Sequence, residues 1–141
     1  MADSRNKGAA FEREIVHRLN DFFVDQDIIF DCKRNLSQYQ TKNLTDIEIP
    51  YHAVECKFYK EGWWWKDEWW QQACDSCANK IPVLVYKFNR KGVRVCLPVY
   101  AINTDLEKNN ELTTVLTFDD WLSILKFNWD IYGRLGFDAA A

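Results

Sequence analysis

The chain has 141 residues with 48% hydrophobic and 28% charged content, 5 Gly, 3 Pro and a formal net charge of −3. That balance fits one domain with a sizeable core and leaves no room for long disordered linkers. No apolar run approaches the ~20 residues that span a bilayer, and Met1-Ala2-Asp3-Ser4-Arg5 is not a secretory signal. Five Cys, an odd count without framework spacing, point to reduced thiols and a cytoplasmic setting. Cys74 and Cys77 form a lone CxxC that reads as ordinary thiols rather than a zinc or redox pair.

In chain order, Ser4 to about Phe23 predicts an amphipathic helix capped by Ser4, with Phe11, Ile15, Leu19 and Phe22 or Phe23 on one stripe. Asp27–Cys32 is a short strand candidate, followed by a polar loop to Asn43. Thr45–Ile49 and His52–Phe58 predict a hairpin. Trp64 to about Ala78 reads as a helix, Pro82–Phe88 as an apolar strand, and Asn89-Arg90-Lys91-Gly92 as a turn into a strand over Val93–Leu97. Thr117 is an N-cap candidate, with Asp119 and Asp120 in the first turn of a helix ending near Phe127. Helix, strands, helix, strands, helix predicts an α/β fold with a mixed sheet flanked by helices.

The hairpin carries the chemistry. If Pro50-Tyr51 is a two-residue loop, Ile49 pairs with His52, Glu48 with Ala53, Ile47 with Val54 and Asp46 with Glu55. Side chains alternate faces along a strand. One face is then Ile47, Ile49, Val54, Cys56 and Phe58; the other carries Asp46, Glu48, Glu55 and Lys57. Opposed carboxylates repel, and a hard, oxygen-seeking cation such as Mg2+, with Mn2+ as a substitute, removes the repulsion. Metal held by carboxylates activates water for phosphodiester hydrolysis, and a lysine beside it orients the water and offsets phosphate charge. Asp46 and Glu55 are the expected ligands, the Cys56 backbone carbonyl a third, Lys57 the catalytic lysine, and Glu48 an auxiliary ligand or a solvent-facing acid. The acids gather after Asn103, so a basic surface can still form locally from Arg5, Lys7, Arg13, Arg18, Lys33, Arg34, Lys42, Lys57 and Lys60. Lys7 and Lys60 are the expected DNA contacts beside the hairpin.

An acid followed by E-x-K resembles the PD-(D/E)XK nuclease superfamily. Lys7-Gly8-Ala9-Ala10-Phe11-Glu12-Arg13-Glu14-Ile15-Val16 resembles the opening helix of archaeal-type Holliday junction resolvases, and Pro82-Val83-Leu84-Val85-Tyr86-Lys87-Phe88 resembles their late core strand. The resemblance implies a restriction-endonuclease-like core over residues 1–100, with 101–141 as an extension packing on the same domain. It implies that Glu12 joins the metal site, that Arg13 contacts DNA, and that Arg34 and Ser37 lie near the scissile phosphate. It further implies a homodimer cutting opposite strands of branched DNA, since paired cuts call for two active sites.

Other readings compete. The hairpin acids and lysine could be a solvated sheet face with cross-strand ion pairs, and Glu12 and Glu14 exposed helix acids. His17 and His52 read as surface or boundary residues. Trp63, Trp64, Trp65, Trp69 and Trp70 exceed what one helix face can bury, and read as core and dimer packing or as a surface for unpaired bases. A duplex or single-strand endonuclease, or a DNA-binding module without catalysis, would share the fold.

Overall fold

The computed structural model describes residues 2–36 and 44–140; Ser37 and Lys42 lie outside the described residues. Helix α1 (Ala2–Asp25) begins before Ser4, so Ser4 lies within it rather than capping it. Phe11, Ile15, Leu19, Phe22 and Phe23 form its buried stripe. The helix ends in a left-handed turn at Asp27 (φ 55°), with Ile28 N–H donating to the Phe23 carbonyl and Asp27 N–H to that of Val24.

The segment expected as a strand over 27–32 is not one. Ile29 is fully exposed, and the Cys32 backbone is held by the Asn20 side chain, which donates to its carbonyl and accepts from its N–H. With its polar groups taken up this way, the chain meets the sheet just beyond the segment, at an Arg34–Ile47 bridge and an Asn35 N–H bond to the Asp46 carbonyl.

Strands β1 (Ile47–Ile49), β2 (His52–Tyr59), β3 (Ile81–Phe88), β4 (Arg94–Pro98) and β5 (Thr113–Thr117) lie side by side in that order. Pairs are antiparallel except β2 with β3, which are parallel and joined across the sheet by helix α2 (Asp67–Asp75). The hairpin register is the expected one: Ile49 opposes His52, Glu48 opposes Ala53 and Ile47 opposes Val54. Its loop carries Tyr51 at φ 71°, a conformation that normally favours glycine. Burial of the Tyr51 ring against Trp129 and Tyr132, and hydrogen bonds from its N–H to the Asp138 carbonyl and to its carbonyl from Ile81, hold it there.

Helix α2 is shorter than its sequence pattern. Gly62 (φ 141°) and Lys66, extended at the N-cap, keep Trp63–Trp65 out of the helix, so Trp65 and Trp69 are not one helical turn apart. Helix α3 (Phe118–Arg134) is longer than expected, and Thr117 caps it by accepting from Asp120 N–H. Strand β5 abuts that cap.

The helices cover both faces of the sheet. On one, α1 and α3 pack through Phe11, Ile15, Leu19, Phe118, Trp121, Leu125 and Tyr132 onto Ile47, Ile49, Val54, Cys56, Val83, Val85, Val95 and Leu97. On the other, Trp69, Trp70 and Ala73 of α2 pack onto Leu84, Tyr86, Phe88 and Cys96. The five cysteines are free thiols. His52, expected near the surface, is wholly buried among Trp121, Trp129 and Tyr132. No helix among the described residues is long and apolar enough to cross a membrane.

Candidate active site

Just before β1 the chain leaves the ladder, and a side chain takes over the backbone's role. Asp46 Oδ2 accepts from the Cys56 backbone N–H at 2.8 Å, while Thr45 Oγ1 donates to the Val54 carbonyl at 2.7 Å. The β1–β2 ladder stops at Ile47 and Val54, so the expected Asp46–Glu55 strand pair is not part of it; these bonds hold Asp46 there instead, near enough for its charge to act on Glu55. Both acids are buried, Glu55 to 1% exposure, and neither Glu55 carboxylate oxygen has a hydrogen-bond donor among the described residues. An orphaned buried carboxylate is costly. Burial, then the charge of Asp46, push the Glu55 carboxyl well above its ordinary range. Burial likewise raises Asp46, opposed by the Cys56 N–H bond and reinforced by Glu12. The Cys56 thiol is raised by its own burial and then by Asp46, and lies in the core rather than among the acids' oxygens.

Glu12 reaches this corner from α1, buried, with Arg34 Nε at 3.2 Å from its Oε1. Arg34 therefore holds an acid of the site, where a DNA contact was expected. Among the described residues no three His, Cys, Asp or Glu side chains form a ready-made metal cage. What is built is the Asp46–Glu55 pair, with Glu12 near enough to raise both. The hard oxygens and the undonated Glu55 carboxylate fit a magnesium-type cation.

Immediately past Glu55, Cys56, Lys57, Phe58, Tyr59 and Lys60 line an open groove of about 560 Å³ with Lys7 and Gly8 of α1. Lys57 is half-buried and Lys60 exposed. Lys7 Nζ donates to Asn89 Oδ1 at 2.7 Å and sits over the Phe58 ring, which Lys87 also approaches. Arg13 is exposed on α1. Glu48 stands apart: its partner is Lys80 at 3.9 Å, a buried lysine that donates to the Ile49 carbonyl at 2.9 Å. The β2–β3 register sets Lys87 opposite Phe58, and Lys80, which no sequence motif marks, is revealed by its contacts with Ile49 and Glu48 of β1.

A buried acid just before β1, set beside the glutamate of an E-x-K on β2 and next to a cationic groove, is the arrangement of a PD-(D/E)XK-type nuclease on a restriction-endonuclease-like α/β fold. A family model described as "Phage putative PDDEXK endonuclease" matches residues 3–130, and the chain belongs to that family. No curated protein matches it. Among solved structures, Archaeoglobus fulgidus Hjc, titled a Holliday junction resolvase from an archaeal hyperthermophile, is similar at 19% identity and a TM-score of 0.46, over 78% of this chain and 86% of that one.

Proposed function

We propose that this nuclease is a Mg2+-dependent endodeoxyribonuclease that resolves four-way DNA junctions as a homodimer by paired phosphodiester hydrolysis. The observation that carries the metal-dependent reading is Glu55, buried beside Asp46 with neither oxygen accepting from a donor among the described residues. The junction reading rests on the sequence likeness of the Lys7–Val16 helix and the Pro82–Phe88 strand to archaeal-type resolvases.

In this reading Asp46, Glu55 and the Cys56 carbonyl hold the cation, with Glu12 at its margin. The bound cation would supply an acidified water and charge neutralisation at the phosphate. The chain's own groups do the rest. Lys57 lies on the same strand face as Glu55 and at the groove, where its ammonium donates to a non-bridging phosphate oxygen and to the attacking water. Lys7 and Lys60 hold neighbouring phosphates. Arg34 withdraws charge from Glu12 and so limits repulsion among the acids. Exposed Arg13 contacts the backbone of the branch.

Cleavage of a labelled four-way junction against its component duplex, with Mg2+ and then with EDTA, tests this. The expected result is paired, symmetric, Mg2+-dependent nicks in the junction with the duplex intact. Equal or preferred duplex cutting would transfer the site to an ordinary duplex endonuclease.

A further inference from the structure

The proposed reaction makes no use of the Trp-rich loop before α2. Trp63 is 75% exposed and Trp64 48% exposed, an unusual state for the largest apolar side chain. Neither ring is loose. Trp64 stacks on Trp65 at 6.2 Å between centroids, and Trp65 leans on Trp70, whose buried indole N–H donates to the Asn110 carbonyl at 2.8 Å. Trp63 continues the series, 5.7 Å from Trp64.

The base of the loop is pinned as well. Lys91 Nζ donates to the Gly62 carbonyl at 2.7 Å, and Gly62 sits so close to Phe88 that a Cβ there would fall 2.4 Å from the ring. Glycine at φ 141° is required for this approach. The molecule thus anchors a loop at both ends in order to hold two indoles in water.

Their surroundings join apolar side chains to cations. Trp63 borders a groove with Tyr86, Phe88, Lys91 and Arg94, and Trp64 borders an open groove of about 580 Å³ lined by Arg94 and the β5 residues Thr113 to Thr117. Among the described residues Asp120 is the one acid lining either groove. Lys57, Tyr86 and Arg94 occupy one row across β2, β3 and β4. Two strand spacings put the Arg94 backbone about 10 Å from that of Lys57, with Tyr86 beneath Trp69 between them. One DNA molecule can therefore touch both.

Resting on the nuclease reading and deepening its substrate, we propose that Trp63 and Trp64, with Arg94 and Lys91, bind unpaired bases of the DNA substrate. Indoles stack on any base, and the cations hold the adjoining phosphates. The enzyme then selects branched DNA whose bases are unstacked over plain duplex.

The test is metal-free binding, with EDTA present, of a short fluorescent oligothymidylate, an abasic oligomer of equal length, and a duplex. Wild type should bind oligothymidylate at least tenfold more tightly than the abasic oligomer. Trp63→Ala/Trp64→Ala should lose at least tenfold for oligothymidylate and leave duplex binding unchanged, while Trp63→Phe/Trp64→Phe retains most of the affinity. Arg94→Ala should lower the affinity and flatten its salt dependence. The single variant Trp63→Ala, whose ring is the more exposed, serves if the double variant does not fold. Equal binding of abasic and thymidylate oligomers overturns the proposal, as does unchanged affinity in the alanine variants. A shift from dimer to monomer with affinity retained would assign the indoles to a seam between copies. Junction cleavage fails or succeeds independently, since duplex-preferring cleavage would leave oligothymidylate binding intact.

Discussion

Glu55 sets function against stability. Its carboxyl is buried without a donor among the described residues, and the folded state holds its proton affinity above the ordinary carboxylate range. A group raised in this way stabilises the fold only while protonated, so the metal-free protein should lose stability as pH rises past the usual carboxylate range. Glu55→Gln removes the ionisation. It should raise the unfolding free energy of the EDTA-treated protein at neutral pH by about 1–3 kcal/mol, measured by urea titration, while abolishing cleavage. Added Mg2+ should raise the wild-type melting temperature but not that of the variant. His52 acts at the acid end with the opposite sign. Burial lowers it to about 4 from an ordinary 6.5, so the unfolded state binds the proton first. Its contribution is intact above about 6.5 and lost as pH falls towards 4, up to about 3 kcal/mol. His52→Phe should flatten that part of the stability–pH curve. The hairpin register from Ile47 to Val54 is legible from strand parity and a two-residue turn, whereas Asp46 is placed near Glu55 by its side-chain bond to the Cys56 N–H. His52 and Lys80 are not legible, because a polar residue type says nothing of the layer that α3 or the neighbouring strand will place over it.

At the scale of elements, local patterning is legible where neighbours agree with it and misleading where they do not. Strand β3 is an apolar, β-branched run buried on both faces and reads correctly. The segment from Asp27 to Cys32 carries similar residue types, but the Asn20 side chain takes up the Cys32 backbone while Ile28 and Phe30 pack against the core beside Phe23 without pairing to a strand. Strand β5, five residues of Thr, Val and Leu, goes unread because it runs straight into a helix cap with no turn to announce it. That cap is testable. Thr117→Ala removes the acceptor of Asp120 N–H at the junction of β5 and α3, and should cost about 1 kcal/mol by thermal or urea unfolding. The Trp-rich stretch shows the reverse error: its residues favour a helix, yet Gly62 and the packing of Phe88 hold the first three indoles outside it.

For the whole molecule, the mixed sheet between helices follows from the order of elements, and the family match, running through residue 130, extends well past the nuclease motif. Residues beyond 100 complete both the sheet and the core: β5 pairs along β4, and Phe118, Trp121, Leu125 and Tyr132 are buried against α1 and the strands. Each such side chain contributes about 1.5–3 kcal/mol on burial, and together they rival the ~5–15 kcal/mol total stability of a domain. A chain ending at Leu112 should therefore fail to unfold cooperatively by circular dichroism, which would mark the C-terminal segment as part of one domain. Paired cutting further predicts a two-fold dimer in sedimentation equilibrium.

The most direct test of the account is the single-turnover rate on a four-way junction in Mg2+ for wild type, Asp46→Asn and Lys57→Ala, with folding checked by thermal melts. Loss of a metal ligand or of the lysine that meets the phosphate should lower the rate by about 10²-fold or more, leaving metal-free junction binding in place. Cleavage by either variant at the wild-type rate would contradict the assignment of this corner of the sheet as the catalytic centre.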